Sequence, residues 1–107
     1  MALTKDFKDT VKARLDTDPE FRRALLEEGI DLLLSGDVGT GRAVLRDYIN
    51  GTIGFRPLSE ETAIPEKSLM RMFGDEGNPT AQNLFAVIEA LQRNEGVELA
   101  VTAKAVA

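Results

Sequence analysis

The pair of residues whose chemistry is most informative is Lys67 and Arg71, four positions apart in the stretch PEKSLMRMFG. Side chains four residues apart lie on the same face of an α-helix, and Glu66 and Met70 belong to that face as well. Both cations can donate hydrogen bonds to the O6 and N7 acceptors of guanine in a DNA major groove. This spacing therefore predicts binding through an exposed polar face.

Other groupings that suggest catalysis lack the residues that catalysis needs. Residues 36–43 have the glycine spacing of a phosphate-binding P-loop, but Arg42 and Ala43 stand where a lysine and a hydroxyl are required. Adjacent carboxylates such as Glu27 and Glu28 point apart on a helix. The chain has no cysteine and no histidine, which removes thiol nucleophiles, the usual zinc ligands and the commonest general base. We expect no enzymatic activity, no metal site and no cofactor.

The overall charge is acidic. The 107 residues carry 13 Lys and Arg against 18 Asp and Glu, a net charge of −5. Phosphate binding draws most of its affinity from clustered cations, so this charge argues against nucleic acid. The length corresponds to one domain, and the N-terminal residues contain no continuous apolar run of the kind found in secretory signals or membrane spans. We predict a cytoplasmic protein that binds no membrane.

The apolar spacing is helical through the first half of the chain. Phe7, Val11 and Leu15 recur every four residues and predict a first helix, with two more helices before residue 52. The caps and breaks that bound these three helices are Thr4, Asp18-Pro19, Gly36, Asp37 and Asn50-Gly51. Their apolar stripe is predicted to pack inside the domain, with a partner or dimer surface as the alternative, and it consists of Phe21, Leu25, Leu32, Leu33, Val44, Leu45 and Tyr48.

Two short helices joined by a tight turn are predicted between residues 58 and 73. The residue before a proline is pushed out of the helical region, so the chain must turn at Ile64, between helices at residues 58–63 and 66–73. Leu69 is predicted to point inwards from the second helix, together with Met72 or Phe73. This pattern is a helix-turn-helix unit, whose second helix can lie in a DNA major groove.

A longer helix is predicted to follow Asn78-Pro79, with Thr80 as its cap. Its apolar face consists of Leu84, Phe85, Val87, Ile88 and Leu91. Phe55, Phe73 and Phe85 are predicted to be core side chains rather than stacking platforms, because they fall on inward faces.

The last segment differs in kind from the helices. Val97, Leu99 and Val101 alternate with Glu98 and Ala100, which predicts a β-strand over residues 97–102 with one buried face. A lone strand needs a partner edge, either from a second copy or from another protein. The predicted architecture is a single all-α domain of five to six helices over residues 1–107 plus this strand, with the helix-turn-helix core at residues 55–92.

Residues 55–92 resemble the helix-turn-helix of phage Cro and repressor-type regulators. Ile64 matches the apolar residue of the turn, Leu69 the buried position of the second helix, and Asn78-Pro79-Thr80 with Leu84 the signature that follows it. The longer run from residue 45 to residue 92, LRDYINGTIGFRPLSEETAIPEKSLMRMFGDEGNPTAQNLFAVIEALQ, is similar to the antidote proteins of bacterial toxin-antitoxin modules. That likeness extends into the N-terminal helices.

The resemblance implies an antitoxin that neutralises a small toxin protein and represses its own operon by binding double-stranded operator DNA, as a homodimer. It implies DNA-binding roles for eight residues, on the second helix of the motif and at the start of the helix after it: Glu66, Lys67, Ser68, Met70, Arg71, Thr80, Gln82 and Asn83. Free N–H groups at a helix start attract phosphate even where the net charge is unfavourable.

This chain departs from the family pattern at several positions. Phe55 stands where a phosphate-binding glutamine is usual, Ala63 replaces the usual glycine of the turn, and Phe73 stands where an acidic residue is common. Ser59 and Thr62 replace a usual alanine and leucine. Alanine tolerates a positive φ poorly, so we expect the turn to differ slightly and to avoid one.

Two alternatives to the antitoxin interpretation remain open. One is a toxin-neutralising interaction module that no longer binds DNA. It is suggested by the acidic residues of the motif region, Glu60, Glu61, Glu66, Asp75 and Glu76. The other is a stand-alone repressor with no toxin. A short basic reading frame beside the gene would favour the antitoxin interpretations over the repressor.

Overall fold

The computed structural model describes residues 5–106, and these residues form six α-helices. In chain order they are α1 (Lys5–Thr17), α2 (Pro19–Leu34), α3 (Val38–Gly51), α4 (Phe55–Thr62), α5 (Glu66–Met72) and α6 (Ala81–Glu95). The predicted helical architecture is confirmed, at the upper end of the expected number of helices. Thr4, the predicted first cap, lies outside the described residues.

The starts of α2 and α3 confirm two of the predicted caps. Asp18 accepts a hydrogen bond from the N–H of Phe21 at 3.1 Å, and this bond lowers the pKa of the Asp18 carboxyl. Asp37 accepts one from the N–H of Thr40 at 3.4 Å. Each cap satisfies an N–H group that the first helical turn leaves without an intrahelical acceptor. These caps separate α1, α2 and α3 into distinct elements.

Glycines allow α2 and α3 to pack closely along each other. A Cβ on Gly29 would lie 2.7 Å from a side-chain carbon of Leu45, and a Cβ on Gly41 would lie 2.9 Å from a side-chain carbon of Leu33. Both distances are too short for real Cβ atoms, so a larger residue at either position would have to displace a leucine side chain or push the two helices apart. The close pair α2–α3 forms the N-terminal side of the molecule.

The hydrophobic core draws side chains from five of the helices. Leu45 and Tyr48 of the predicted N-terminal stripe are fully buried, so the prediction that this stripe packs inside the domain is confirmed for them. The buried cluster consists of Leu26, Leu45, Tyr48, Ile49, Phe55, Leu58, Leu69, Met72, Phe73, Val87, Ala90 and Leu91. Phe55 and Phe73 are core residues, as predicted, with ring centroids 6.3 Å apart. The short helices α4 and α5 are thereby fixed to the rest of the domain.

A polar network fixes the C-terminal end of α6 to the N-terminal helices. The Glu95 carboxylate, whose side chain is 3% exposed, accepts hydrogen bonds from Arg22 Nε at 3.1 and 3.2 Å and from the Tyr48 hydroxyl. Arg22 Nη1 also donates to the carbonyl oxygen of Leu15 at 3.0 Å. A buried carboxylate is stable only when it is paired in this way. The network joins α1, α2, α3 and α6 at one point.

Tyr48 is the only tyrosine, and the chain has no tryptophan, so ultraviolet absorbance reports its ionisation alone. Burial, together with the hydrogen bond to Glu95, raises the pKa of Tyr48 well above its ordinary value of 10.0. Above about pH 10 the unfolded chain loses the phenolic proton of Tyr48, whereas the folded protein retains it. The stability from the neutral phenol is therefore fully present below about pH 10 and falls as the pH rises further.

We expect tyrosinate absorbance to appear only together with loss of the helical circular dichroism signal. Glu95→Gln leaves Arg22 without its carboxylate partner and lowers the stability of the fold, so the unfolding transition should move to lower pH. Tyrosinate that forms near pH 10 in a fully helical protein would show that Tyr48 is not buried as described.

The predicted β-strand at residues 97–102 is wrong. Within residues 5–106 no segment forms a strand, because residues 97–106 have no partner edge to complete a ladder. The N–H groups of Val97 and Leu99 instead donate to the carbonyl oxygen of Gln92 at 3.1 Å and to Gln92 Oε1 at 2.8 Å. The predicted alternation is present locally, since Val97 and Leu99 are half-buried while Glu98 and Ala100 are exposed.

Candidate nucleic-acid interface

The helices α4 and α5 are joined by a three-residue turn, residues 63–65. Ala63 ends α4 in the left-handed region, with φ 61° and ψ 16°. Its N–H donates to the carbonyl oxygen of Ser59 at 2.9 Å, and the Ser59 hydroxyl donates to the carbonyl oxygen of Ile64 at 2.6 Å. The prediction that this turn avoids a positive φ is therefore wrong. The turn keeps the left-handed residue that glycine usually supplies, although alanine occupies the position.

Ala63→Gly is expected to raise the free energy of unfolding by about 0.5–1 kcal/mol, because glycine has no Cβ to oppose a positive φ. Ala24→Gly is the matched control, at an exposed position inside α2, where the same change should lower that free energy by about 1 kcal/mol. Urea denaturation followed by circular dichroism measures both. If both variants lose stability to the same extent, Ala63 is not strained.

One side of α5 is buried and the other is exposed. Leu69 is fully buried and Met72 is nearly so, which confirms that this side faces the core. The four residues predicted to face base edges are all exposed: Glu66, Lys67, Met70 and Arg71. Ser68, also predicted to contact DNA, is half-buried between the two sides. The exposed side therefore presents one carboxylate, two cations and one thioether along two helical turns.

The cations of α5 are available for a ligand. Among the described residues, Lys67 and Arg71 take part in no hydrogen bond between side chains and in no ion pair. By contrast, Arg22 is held by Glu95, and Arg93 pairs with Glu89 on its own helix. A cation without an internal partner loses no protein contact when it binds an external acceptor.

The C-terminal end of α5 is held by Arg42, a residue of the glycine-rich stretch 36–43 that was not predicted to have this role. Arg42 belongs to α3 and is 9% exposed, and its Nη1 donates to the carbonyl oxygens of Gly74 at 2.8 Å and Met72 at 3.4 Å. A cation beside the last carbonyls of a helix satisfies them and complements the helix dipole. Its buried Nε has no hydrogen-bond partner among the described residues.

A second arginine supports the same end of α5. Arg46 lies one turn further along α3, and its Nη1 donates to the carbonyl oxygen of Phe73 at 3.3 Å. The loop after α5 packs against the end of that helix at Gly77. A Cβ on Gly77 would collide with the carbonyl oxygens of Arg71 and Met72 and with the Arg42 guanidinium. In the sequence, the four-residue spacing of Arg42 and Arg46 on an otherwise apolar face of α3 is the feature that indicates this role.

The start of α6 brings together the three remaining predicted site residues. Thr80 is the cap, as predicted, and its hydroxyl oxygen accepts a hydrogen bond from the N–H of Asn83 at 3.1 Å. Thr80, Gln82 and Asn83 are all exposed. The N–H groups of Ala81 and Gln82 have no acceptor within the helix, because they belong to its first turn. This helix start has the donors and the dipole direction that suit an anion.

Phe85 is not a core residue, contrary to the prediction. It is 65% exposed, whereas its neighbours Val87 and Ile88 are buried. Successive helical residues turn by about 100°, and this places Phe85 beside the buried face rather than on it. Met70 of α5 is also exposed, at 53%.

Comparison of the chain with family models, curated proteins and solved structures found no match. Within residues 5–106, no helix has both the length and the apolar character required to cross a membrane. The same residues contain no cluster of three or more acidic side chains arranged to hold a metal ion.

Proposed function

We propose that this chain is a DNA-binding transcriptional regulator that places the exposed side of α5 in the major groove of operator DNA. The proposal rests on Lys67 and Arg71, which have no ion-pair partner within residues 5–106 and lie on a short helix whose other side is fixed in the core. A rigid helix with two unengaged cations fits the donor requirements of guanine, and Glu66 can accept from cytosine N4.

The acidic net charge bears on how such binding would work. With a charge of −5, the protein gains little from general attraction to phosphate. Affinity must instead come from local contacts: α5 to base edges, and the first turn of α6 to a phosphate beside Thr80 and Gln82. We therefore expect specific binding with a shallower salt dependence than a basic regulator of this size shows.

Titration of the purified protein against DNA from upstream of its own gene, at several salt concentrations, tests the proposal. We expect a retarded complex with that DNA that weakens as salt is raised, and weaker binding to a scrambled duplex of equal length and composition. Absence of a complex at low salt would contradict DNA binding, provided that a partner toxin, where the neighbouring gene encodes one, does not restore it.

We further propose that the regulator acts as an antitoxin. This proposal rests on the resemblance of residues 45–92 to antidote proteins. Co-expression with the product of a short neighbouring reading frame tests it. We expect this chain to relieve the growth arrest that the neighbouring product causes alone. A gene without such a neighbour would favour a stand-alone repressor.

The second candidate function is a toxin-neutralising module without DNA binding. It is favoured by the exposed carboxylates around α4 and α5, which outnumber the exposed cations there: Glu60, Glu61, Glu66, Asp75 and Glu76. These carboxylates repel phosphate and suit a basic protein partner. Neutralisation of the neighbouring product by a chain that fails the DNA titration would support this candidate.

A further inference from the structure

The last part of the chain forms no helix or strand, and most of its backbone groups have no hydrogen-bond partner among the described residues. In residues 97–106, called the tail below, the N–H groups of Val97 and Leu99 make the only hydrogen bonds to the rest of the described chain. Unpaired N–H and C=O groups along an extended segment are a template for pairing with another strand. Val101 is 80% exposed and Val106 is 95% exposed, although β-branched side chains are favourable in a packed strand.

In an extended conformation the tail would have two faces of different character, because successive side chains of a strand point to opposite sides. The apolar face begins with two residues that are half-buried against the core and continues outward: Val97, Leu99, Val101, Ala103 and Ala105. The mixed face carries the only charges of the tail, one of each sign, and consists of Glu98, Ala100, Thr102, Lys104 and Val106.

We propose that two copies of this chain associate by antiparallel pairing of their tails, with Val101 opposite its own counterpart on the two-fold axis. In this register Glu98 lies opposite Lys104 of the partner subunit, and Lys104 lies opposite Glu98 of the partner subunit. On the other face, Leu99 lies opposite Ala103 of the partner subunit. Ala105 likewise lies opposite Val97 of the partner subunit. The small side chains of Ala103 and Ala105 therefore lie beside the two tail residues that pack on the partner's core.

Charge complementarity favours this register, and it favours a second copy of the chain as the pairing partner. Residues directly opposite in an antiparallel pair share one face, so any allowed shift moves the register by two positions. Such a shift would place Glu98 and Lys104 opposite uncharged residues, whereas the proposed register pairs both charges, and symmetry forms each pair twice. A two-stranded ribbon is marginal alone, but this one is anchored on two helical cores through Val97 and Leu99.

The pairing does not depend on DNA binding. It deepens the proposed function, since a symmetric dimer presents two copies of α5 to two operator half-sites. A monomeric protein that binds DNA would contradict the pairing alone, and a paired protein that binds no DNA would contradict the proposed function alone.

Sedimentation equilibrium of the full chain measures the dissociation constant of the dimer. Glu98→Lys is expected to raise it about tenfold, because it sets two like-charged pairs across the ribbon, and Lys104→Glu should do the same. The double variant Glu98→Lys/Lys104→Glu restores opposite charges and should return the constant close to its native value. Glu28→Lys makes the same charge change at an exposed position of α2 and should have no effect.

Disulfide crosslinking tests the register, because the natural chain has no cysteine. Opposite Cα atoms in an antiparallel pair are about 4.5–5.5 Å apart, a separation that a disulfide can span. Val101→Cys should therefore give a covalent dimer rapidly under mild oxidation. Val106→Cys, equally accessible but far from its counterpart in this register, should crosslink much more slowly.

Three results would overturn the pairing. The first is a native chain that sediments as a monomer at every concentration tested. The second is a dimer whose dissociation constant is the same in the single and double charge variants, which would assign the interface to another surface. The third is crosslinking of Val106→Cys as fast as that of Val101→Cys. The helical circular dichroism spectrum of each variant confirms that it is folded.

Discussion

Replacement of Lys67 and Arg71 together by alanine is expected to weaken binding to the operator by at least about a hundredfold. Each cation that contacts a base edge contributes about 1–3 kcal/mol of discrimination, and two of them act in each half-site. The variant should remain as stable as the native protein to within about 0.5 kcal/mol, because neither side chain forms an ion pair with any described residue. Gel retardation with the upstream DNA measures the loss.

The matched control for this variant is Lys12→Ala/Arg23→Ala. It removes the same charge from exposed positions on α1 and α2. If binding depends on the exposed side of α5, the control should weaken it severalfold at most, through the more negative net charge. Equal weakening by both double variants would mean that binding depends on general electrostatics, and it would contradict base contact by α5.

Arg42→Met is expected to lower the free energy of unfolding by about 2–3 kcal/mol and to weaken DNA binding. Methionine fills much of the space of the arginine stem but cannot donate to the carbonyl oxygens of Met72 and Gly74. Loss of a charged donor to buried carbonyls costs about this much. The C-terminal end of α5 would lose its fixed position, so the rigid presentation of Arg71 would be lost as well.

Arg46→Met is the control for Arg42→Met. Arg46 donates to the carbonyl oxygen of Phe73 at the same end of α5, but its side chain is 36% exposed. Water can replace that hydrogen bond, so the expected loss is below about 1 kcal/mol. Thermal unfolding gives both stabilities, and DNA affinity should be measured well below each midpoint. A stable Arg42→Met variant with native affinity would show that Arg42 does not position α5.

The boundaries of most helices were predictable from local chemistry. Asp18, Asp37 and Thr80 cap helices because their short side chains reach the N–H three residues ahead, and this geometry depends on sequence neighbours alone. The turn before Pro65 follows from a local steric rule. The buried position of Leu69 follows from helical periodicity within the same segment.

Features that depend on distant parts of the chain were not predictable. The role of Arg42 depends on carbonyls about thirty residues away, and the burial of Glu95 depends on Arg22 and Tyr48 from two other helices. Phe85 fits an apolar pattern, yet it lies beside the buried face of α6. In the tail, burial alternates as predicted over residues 97–100 but not at Val101, and a strand needs a second strand that the described chain does not contain.

Ala63 shows how a local rule can give the wrong result. Alanine disfavours a positive φ by about 1–2 kcal/mol, and this cost alone predicts a different turn. The structure keeps the left-handed conformation because the Ser59 hydroxyl and the packing of α4 and α5 on the core hold the turn in place. Tertiary contacts therefore outweigh the local preference.

Site-directed crosslinking to DNA tests most directly the claim that the exposed side of α5 enters a DNA groove. A photoreactive group can be attached to Met70→Cys or to Leu34→Cys, because the natural chain offers no competing thiol. Both positions are exposed, at 53% and 65%, but Leu34 ends α2. With DNA from upstream of the gene, we predict efficient crosslinking from position 70 and little from position 34. Equal crosslinking from both positions, or crosslinking from position 34 alone, would contradict the proposed binding mode.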